Sequence, residues 1–217
     1  QGLCTAEEFV NEVAYGDFSE YGFVNDITVT GEARLEGYLY PDTYQVFLQG
    51  ETAHSLIVKF LDQFEKVYNE VIQEATLDGA ASVLNKHQLV TVASLIEREA
   101  QLDAERPLIA SVIYNRLDKN MKLQIDATVQ YALGETKERL LYSDLEVDSP
   151  YNTYKVDGLP VGPIGAVGRA SLEAAMSPAS TNYIYYVLKP EMDASHNFAE
   201  TSKEFEEYKA QYIAAIS

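Results

Sequence analysis

The segment 87–100 constrains the fold more than any other part of the chain, because it predicts a helix with one side that must be buried. Its carboxyl end carries two acids, Glu97 and Glu99, which lie at opposite edges of the apolar face. Residues two positions apart on a helix are separated by about 200° of rotation, so these carboxylates cannot act as a face-to-face pair. The apolar face consists of Leu89, Val92, Ala93, Ile96 and Ala100.

Either glutamate is a candidate for acid/base chemistry. A carboxyl group at the edge of an apolar face can be half-buried, and burial raises its pKa towards the range of a general acid. The pattern favours Glu97 over Glu99 for this role. A solvated glutamate on a helix surface is nevertheless the more common explanation of such a position.

The rest of the chain predicts an α+β fold, in which helices and short strands follow no regular β-α-β rhythm and surround the helix 87–100, with its candidate catalytic glutamates. Helical periodicity and capping residues predict helices at 5–15, 52–77, 126–133, 170–176 and 202–216, and one after Asp103 with Pro107 in its first turn. Helix 52–77 should end at Asp78-Gly79 and bury Leu56, Phe60, Phe64, Val67 and Val71. Short strands are predicted at 27–29, at 182–188 and on both sides of a turn at Pro41-Asp42, within residues 35–46.

Composition excludes several classes of function. The chain has 34 acidic and 16 basic residues, so it lacks the basic surface that nucleic acid needs, and an anionic membrane would repel it. The histidines His54, His87 and His196 are far apart and Cys4 is the only cysteine, which excludes metal-ligand spacing. No phosphate-binding loop and no GxSxG motif occurs. We therefore expect no metal, no organic cofactor and no nucleic-acid partner.

The loops offer aromatic and polar groups of the kind that bind sugars. Residues 148–168 are rich in Gly, Pro and Tyr, and predict an ordered loop that lines a cleft. Aromatic rings stack on sugar rings, and amide, hydroxyl and carboxyl groups bind sugar hydroxyls. Such tyrosines also pack as lids over a core, and such polar residues also form turns and caps. The candidates are Tyr38, Tyr40, Tyr151, Tyr154, Gln124, Asp126, Asn152 and Thr153.

Several segments follow one another in the order found in one known family. They are EGYLYPDTY at 36–44, TVASLIEREA at 91–100, ASVIYNRL at 110–117, LQIDATVQYALG at 123–134, SPYNTY at 149–154, GLPVGPI at 158–164 and HNF at 196–198. No single segment is decisive, but the ordered set is specific. It resembles the endolytic murein transglycosylase family, also called YceG-like, from about Glu36 almost to the C-terminus.

The resemblance implies a bacterial enzyme that cuts the MurNAc-GlcNAc β-1,4 bond within nascent peptidoglycan glycan strands and leaves 1,6-anhydro-MurNAc ends. By position in SLIEREA, it implies that Glu97 is the catalytic acid/base and that Glu99 is a second acid in contact with the substrate. The other residues that the shared motifs assign to substrate binding are Gln124, Asp126, Tyr151, Asn152, Thr153, Tyr154, Pro160 and His196.

The resemblance also carries expectations about organisation and location. The family usually has an N-terminal membrane helix and a small LysM-like region before the EGY segment, and works on the extracytoplasmic face of the cell membrane. We therefore expect residues 1–34 to be the end of a preceding subdomain or a linker, and residues 35–217 to be the catalytic domain. The membrane anchor is expected to lie outside this chain, and cell-wall synthases are candidate partners.

Two positions depart from the family pattern. The loop reads VGPIGAVG at 161–168, with Ala166 and Val167 where the family commonly has Asn-Pro, and the His of a Glu-His pair near Phe205-Glu206 is missing. The altered loop 163–168 leaves a binding module open, and the acidic surface with the C-terminal helix leaves a scaffold open. In either alternative the chain is a non-catalytic peptidoglycan-binding or scaffold module of the cell-wall synthesis machinery.

Two further expectations concern the geometry of the site. One cleft should be lined by Glu97, Gln124, Asp126, Asn152, Tyr154 and the loop 158–164. Hydrolytic glycosidases normally use two carboxyl groups, whereas this helix offers Glu97 alone and Asp126 is expected to cap a helix. A single carboxyl group that serves as acid and then as base predicts closure of a 1,6-anhydro ring rather than hydrolysis.

Overall fold

The computed structural model describes residues 3–47, 49–75, 79–137 and 140–216, and within them the fold is α+β, as the sequence predicts. Seven α-helices and one antiparallel pair of strands make up the helices and sheet of these residues, together with short 3-10 turns. The helices are α1 (Ala6–Tyr15), α2 (Ala53–Glu74), α3 (Lys86–Glu99), α4 (Arg106–Asp118), α5 (Asp126–Leu133), α6 (Arg169–Met176) and α7 (Ser202–Ile216). The strands are β1 (Tyr185–Leu188) and β2 (His196–Ala199).

Helix α3 is the centre of the fold. It begins at a capping box, in which the Asn85 side chain accepts from the Gln88 backbone and the Gln88 side chain accepts from the Asn85 backbone. Helices α4, α5 and α6 pack around it. All its residues from Leu89 to Ile96 are therefore buried, and not only the predicted face. The two glutamates come directly after this buried stretch, where α3 leaves the core.

The predicted helices are confirmed, with differences of a few residues at their ends. In α2 the buried stripe is rotated from the predicted one, since Ile57 and Leu61 are fully buried while Leu56 and Phe60 are partly buried. The predicted end of this helix at Asp78 lies outside the described residues. None of the helices in the described part of the chain combines the length and the apolar character that crossing a bilayer requires.

The strand predictions need correction. Residues 27–29 form no strand, because they follow a 3-10 turn and no strand among the described residues pairs with them. Residues 35–46 form no strands about Pro41-Asp42, because a turn occupies 34–38 and residues 40–46 have no regular secondary structure. The predicted strand 182–188 begins only at Tyr185, and its partner β2 is too short and too polar for its pattern to predict.

The tight turn in the EGY segment depends on Gly37. This residue has a φ of 86°, and an added Cβ would lie 2.6 Å from the Cβ of Pro163, so only glycine fits there. The neighbouring Tyr38 is fully buried and stacks on Phe23, with ring centroids 5.2 Å apart. Phe23 thus shares one hydrophobic core with later residues, and a domain boundary at residue 34 stays a prediction.

Candidate active site

A cavity of about 490 Å³ opens beside the carboxyl end of α3. Its size falls within the range of small-molecule sites. Helices α3, α4, α5 and α7, strand β1 and the loop before residue 155 form its walls, so segments far apart in sequence meet there. Its polar lining residues are Glu99, Arg116, Gln124, Asp126, Tyr154 and Lys209. Its aromatic lining residues also include Tyr185, Tyr186 and Phe205.

Glu99 lines the cavity, and its surroundings favour the protonated carboxyl group. Burial raises the pKa of Glu99 to about 7, and the negative charge of Asp126 adds to the rise. The hydroxyl of Tyr186, the charge of Arg98 and the backbone N–H of Ala127 act in the opposite direction. The Tyr186 hydroxyl donates to Glu99 Oε2 at 2.9 Å. A carboxyl group with this pKa carries its proton for much of the time near neutral pH, as a general acid must.

Asp126 is the second carboxyl group of the cavity, and Tyr154 holds it. The Tyr154 hydroxyl donates to Asp126 Oδ1 at 2.5 Å. Burial and this hydrogen bond raise the pKa of Tyr154, so the hydroxyl keeps the proton that it donates. Asp126 is the first residue of α5 rather than its cap, since the capping position belongs to Ile125. The expectation that Asp126 serves as a helix cap is therefore wrong, and its carboxylate is available to the cavity.

Gln124 and Arg116 shape the wall next to Asp126. Gln124 has a left-handed backbone φ of 53°, which is unusual for a residue with a side chain. Arg116 is buried, and its Nη1 donates to the Leu123 carbonyl at 2.8 Å and to Gln124 Oε1 at 3.4 Å. Its Nε donates to the Ile184 carbonyl at 2.6 Å. Arg116 thus ties α4 to the segment before α5 and to the residue before β1.

Asn152 and Thr153 are fully buried and do not line the cavity. Asn152 Nδ2 donates to the Leu145 and Val147 carbonyls at 2.9 and 2.8 Å. Thr153 Oγ1 accepts from the Ile125 N–H at 2.9 Å. Their polar groups are engaged within the protein, so these residues build the turn that presents the following tyrosine. A direct contact with substrate stays a prediction for both.

Glu97 lies on another side of α3 and does not line the cavity. The Gly168 N–H, at the start of α6, donates to Glu97 Oε2 at 3.1 Å, and Arg106 Nη1 lies 3.5 Å from the same oxygen. Arg106 Nη1 also donates to Ser171 Oγ at 2.6 Å. A carboxylate at a helix N-terminus beside an arginine is a stabilising structural contact, and here it joins α3, α4 and α6.

Tyr151, Pro160 and His196 also lie outside the cavity. The Tyr151 ring packs against Tyr131, with centroids 4.7 Å apart, and Pro160 is buried. His196 is buried, and its Nδ1 lies 2.7 Å from Glu105 Oε2. None of the three reaches the cavity wall, so the cavity does not support their assignment to substrate binding, which stays a prediction.

The Gly- and Pro-rich loop packs on α3 instead of lining the cavity. The Ile164 N–H donates to Ser94 Oγ at 3.0 Å, and the Val161 carbonyl lies 3.1 Å from His87 Nε2. Within 148–168, Tyr154 alone of the described residues belongs to the cavity wall. Of the residues expected to share one cleft, Gln124, Asp126 and Tyr154 line this cavity, whereas Glu97, Asn152 and the loop 158–164 do not.

Five polar or aromatic residues of the wall are not among the candidates that the sequence offers, namely Arg116, Tyr185, Tyr186, Phe205 and Lys209. The two tyrosines belong to a predicted strand, where β-propensity alone explains them. Phe205 and Lys209 lie one turn apart on α7, and the Phe205 ring stacks on Tyr185 with centroids 4.9 Å apart. An aromatic residue and a cation one helical turn apart are the only sequence feature that could have indicated Phe205 and Lys209. Ordinary surface helices carry the same pattern, so it does not predict a binding site.

The groups that line the cavity can exchange protons and bind hydroxyl groups. Two carboxyl groups with different surroundings face one space, which is the arrangement expected of an acid and a charge-stabilising partner. In the described ranges, no group of three or more His, Cys, Asp or Glu side chains could hold a metal ion.

The chain is similar to a known protein family and to named members of it. The chain matches the model of the YceG-like family over residues 3–211. It is 46% identical over 181 residues to an endolytic murein transglycosylase of Bacillus subtilis strain 168, which covers 83% of this chain and 49% of that protein. An endolytic murein transglycosylase of Streptococcus pneumoniae strain R6 is 35% identical over 159 residues, which covers 71% of this chain and 28% of that protein.

A solved structure has the same fold. The 2.6 Å crystal structure of a YceG-like protein from Listeria monocytogenes matches with a TM-score of 0.75 and 36% sequence identity. The match covers 94% of this chain and 65% of that one. The chain spans about half the length of the Bacillus relative.

Proposed function

The chain belongs to the YceG-like family, and on that premise we propose that it is a lytic transglycosylase that cleaves peptidoglycan glycan strands. The proposed cut is at the MurNAc-GlcNAc β-1,4 bond within a strand, and it leaves a 1,6-anhydro-MurNAc end. The names of the relatives support this activity. The observation that carries the proposal is the position and the pKa of Glu99. Its carboxyl group lies in the wall of the cavity, and its pKa is raised to about 7.

Glu99 is the proposed acid and base in turn. Its protonated carboxyl group gives a proton to the glycosidic oxygen, and the bond between this oxygen and the anomeric carbon of MurNAc breaks. The Glu99 carboxylate then takes the proton from the C6 hydroxyl of the same sugar, whose oxygen bonds to the anomeric carbon. The proton is back on Glu99 at the end, so no water is consumed.

Asp126 is the proposed partner that stabilises charge. Positive charge develops at the anomeric carbon as the glycosidic bond breaks. A carboxylate in the same cavity lowers the energy of that charge, and the hydrogen bond from Tyr154 holds Asp126 in one orientation. Gln124 lies beside it and offers an amide to sugar hydroxyls.

The geometry favours Glu99 for the role that the motif comparison gave to Glu97. Both residues lie in the same short motif, so sequence position separates them only weakly. Glu97 is engaged by the Gly168 N–H and by Arg106, outside the cavity. Glu99 lines the cavity with Asp126.

The presence of Asp126 also changes the basis for the proposed product. A cavity with two carboxyl groups is compatible with hydrolysis, in which the second group activates water or attacks the sugar. The single-carboxylate argument for a 1,6-anhydro end therefore no longer holds. The proposed product now rests on membership of the family, and an experiment must separate it from hydrolysis.

The alternative of a non-catalytic binding module depended on the altered loop 163–168. Val167 is fully buried, and the loop packs on α3 outside the cavity. The altered residues therefore leave Glu99 and Asp126 in place. A protein that only binds glycan has no need of a half-buried acid with a raised pKa beside a second carboxylate.

Location and partners follow from the substrate. Peptidoglycan lies outside the cytoplasmic membrane, so we propose that this catalytic region works on the extracytoplasmic face. A membrane anchor outside this chain and an association with cell-wall synthases are proposals from the family resemblance.

The experiment is digestion of unbranched glycan strands in heavy-oxygen water, followed by mass spectrometry of the new ends. We expect 1,6-anhydro ends without the label, and about 10²–10⁴-fold fewer new ends with the Glu99→Gln variant as control. Labelled reducing ends would show hydrolysis, with Asp126 as a second catalytic carboxylate. Strands that bind to the wild-type protein but are never cut would identify a binding module instead.

A further inference from the structure

A series of four side chains runs from the turn before α4 to the cavity. Glu105 Oε2 lies 2.7 Å from His196 Nδ1, and Glu105 Oε1 accepts from the His196 backbone N–H at 2.9 Å. The rings of His196 and Tyr186 meet edge to face, with centroids 5.4 Å apart and an interplanar angle of 87°. The Tyr186 hydroxyl donates to Glu99 Oε2 at 2.9 Å.

The register of the β-hairpin brings the two rings together. Strands β1 and β2 pair Tyr186 with Phe198 and Leu188 with His196, so His196 is the diagonal neighbour of Tyr186 on one face of the pair. Glu105 and His196 are both buried. A buried carboxylate that binds the ring and the backbone of one histidine restricts that histidine to one orientation.

We propose that Tyr186 is the positioning residue of Glu99, and that the Glu105–His196 pair holds the Tyr186 ring in place. This inference rests on the proposed function. The hydrogen bond occupies Oε2 of Glu99 and leaves Oε1 as the oxygen that carries the proton to the glycosidic bond. It also favours the ionised form, which makes the acid strong enough to give up its proton.

Other groups around Glu99 also change its pKa, some in the same direction as the hydrogen bond from Tyr186 and some in the opposite direction. From α5, the Asp126 carboxylate raises the pKa of Glu99 and the Ala127 N–H lowers it. From α3 itself, the charge of Arg98 lowers it. Burial is the largest cause and raises it. Removal of the Tyr186 hydroxyl takes away one of the groups that lower this pKa.

Tyr186 remains a donor through the pH range in which Glu99 titrates. Burial raises the pKa of Tyr186 well above its usual value, and the charge of Glu99 adds to the rise. Arg116, on α4, acts in the opposite direction. The phenol therefore keeps its proton, and the pH dependence of the pair is that of Glu99.

The test is the pH profile of kcat/KM for Tyr186→Phe on glycan strands. Phenylalanine keeps the ring that packs against His196 and removes the hydroxyl. The pKa of Glu99 rises, so its protonated form persists to higher pH. We expect the alkaline limb of the profile to move up by about one to two pH units, the size expected for a lost hydrogen bond to a charged group.

The matched control is Tyr185→Phe, the neighbouring residue of the same strand. Tyr185 also lines the cavity, but its ring stacks on Phe205. The hydroxyl that donates to Glu99 belongs to Tyr186 instead. The alkaline limb of the kcat/KM profile of Tyr185→Phe should therefore coincide with that of wild type. An unmoved limb in folded Tyr186→Phe protein, or equal shifts in both variants, would overturn the inference.

Two measurements keep the inference distinct from the proposed function. Direct titration of the Glu99 carboxyl by carbon NMR, in wild type and Tyr186→Phe, reports the same shift without any turnover. An active Glu99→Gln variant would overturn the proposed function itself. An inactive Glu99→Gln variant together with an unchanged Glu99 titration in Tyr186→Phe would overturn only the positioning role.

The supporting pair is tested by Glu105→Gln. The amide oxygen of the introduced Gln can still accept from the His196 backbone N–H. Its NH₂ group replaces the carboxylate oxygen that faces His196 Nδ1 in wild type. We expect a smaller upward shift of the alkaline limb than for Tyr186→Phe, because the ring is held less firmly. An unmoved limb would remove Glu105 from the proposal.

Discussion

Around Glu97 the protein places the Gly168 N–H at 3.1 Å and the guanidinium of Arg106 at 3.5 Å. Around Glu99, two residues further along the same helix, it places the hydroxyl of Tyr186 at 2.9 Å and a second carboxyl group, that of Asp126. Each glutamate also meets the start of a helix, α6 for the first and α5 for the second. The difference lies in charge and burial, because Arg106 lies beside Glu97, whereas burial and the like charge of Asp126 outweigh the charge of Arg98 at Glu99.

On the proposed assignment, one helix carries both a structural acid, Glu97, and a chemical one, Glu99. A carboxylate with an arginine and a backbone donor completes a contact between helices. A carboxyl group that is buried beside another carboxyl group retains a proton, which can then be given to a substrate. Residue type and helix position do not distinguish the two roles, and the neighbours do.

The largest expected effect separates the two glutamates by turnover. Glu99→Gln keeps the volume of the side chain and removes the transferable proton, so we expect cleavage of glycan strands to fall by about 10²–10⁴-fold. Glu97→Gln is the matched control, and its folded fraction should cut at a rate close to wild type. Turnover by both purified variants checks this. The reverse result, an active Glu99→Gln and an inactive Glu97→Gln, would return the acid/base role to Glu97.

Sequence predicts the helices well because their signals are local. Capping residues such as Thr5 and Asn85 and the periodic apolar residues of α3 lie within a few residues of the structure that they determine. The all-round burial of α3 is not local, since it depends on α4, α5 and α6 packing together. The edge of the apolar face therefore could not identify which glutamate faces a cavity.

The candidate site was predictable only in part for the same reason. Gln124, Asp126 and Tyr154 lie in motifs that the family resemblance covers, and they do line the cavity. Tyr186 lies outside these motifs, and only the tertiary fold brings it to Glu99. Arg116 lies in the motif 110–117, but that motif does not show that its side chain lines the cavity. Asn152 is polar and lies in a motif, yet its hydrogen bonds go to backbone carbonyls, which a sequence pattern cannot reveal.

A second expected effect is opposite changes in stability above pH 7. Glu99 has a pKa of about 7 in the fold against an ordinary value of 4.5, so wild type loses stability as pH rises from 4.5 through 7. Glu99→Gln escapes this loss and should be more stable than wild type above pH 7, by on the order of 1–3 kcal/mol. Glu97→Gln weakens a contact to Arg106 and should be less stable, by about 1 kcal/mol.

Urea unfolding of the three proteins at several pH values measures these differences. The advantage of Glu99→Gln should disappear below pH 4.5, where Glu99 is protonated in both the folded and the unfolded state. A Glu99→Gln variant that is less stable than wild type at every pH would contradict the assignment of a costly buried carboxylate. A Glu97→Gln variant that gains stability above pH 7 would remove the distinction between the two sites.

The smallest expected effect is on the pH profile of turnover when Asp126 is changed to Asn. The amide keeps the shape of the side chain and an oxygen that can accept from Tyr154, but it removes the negative charge that raises the pKa of Glu99. The pKa of Glu99 then falls, and the alkaline limb should move to lower pH by roughly one pH unit. Asp103→Asn is the matched control, because Asp103 is exposed and binds Arg106 on the Glu97 side, and its limb should not move. A downward shift for Asp126→Asn, opposite to that for Tyr186→Phe, would show that Glu99 titrates under the control of both neighbours. A limb that stays in place in Asp126→Asn, or that moves equally in Asp103→Asn, would mean that the charge of Asp126 does not act on the acid.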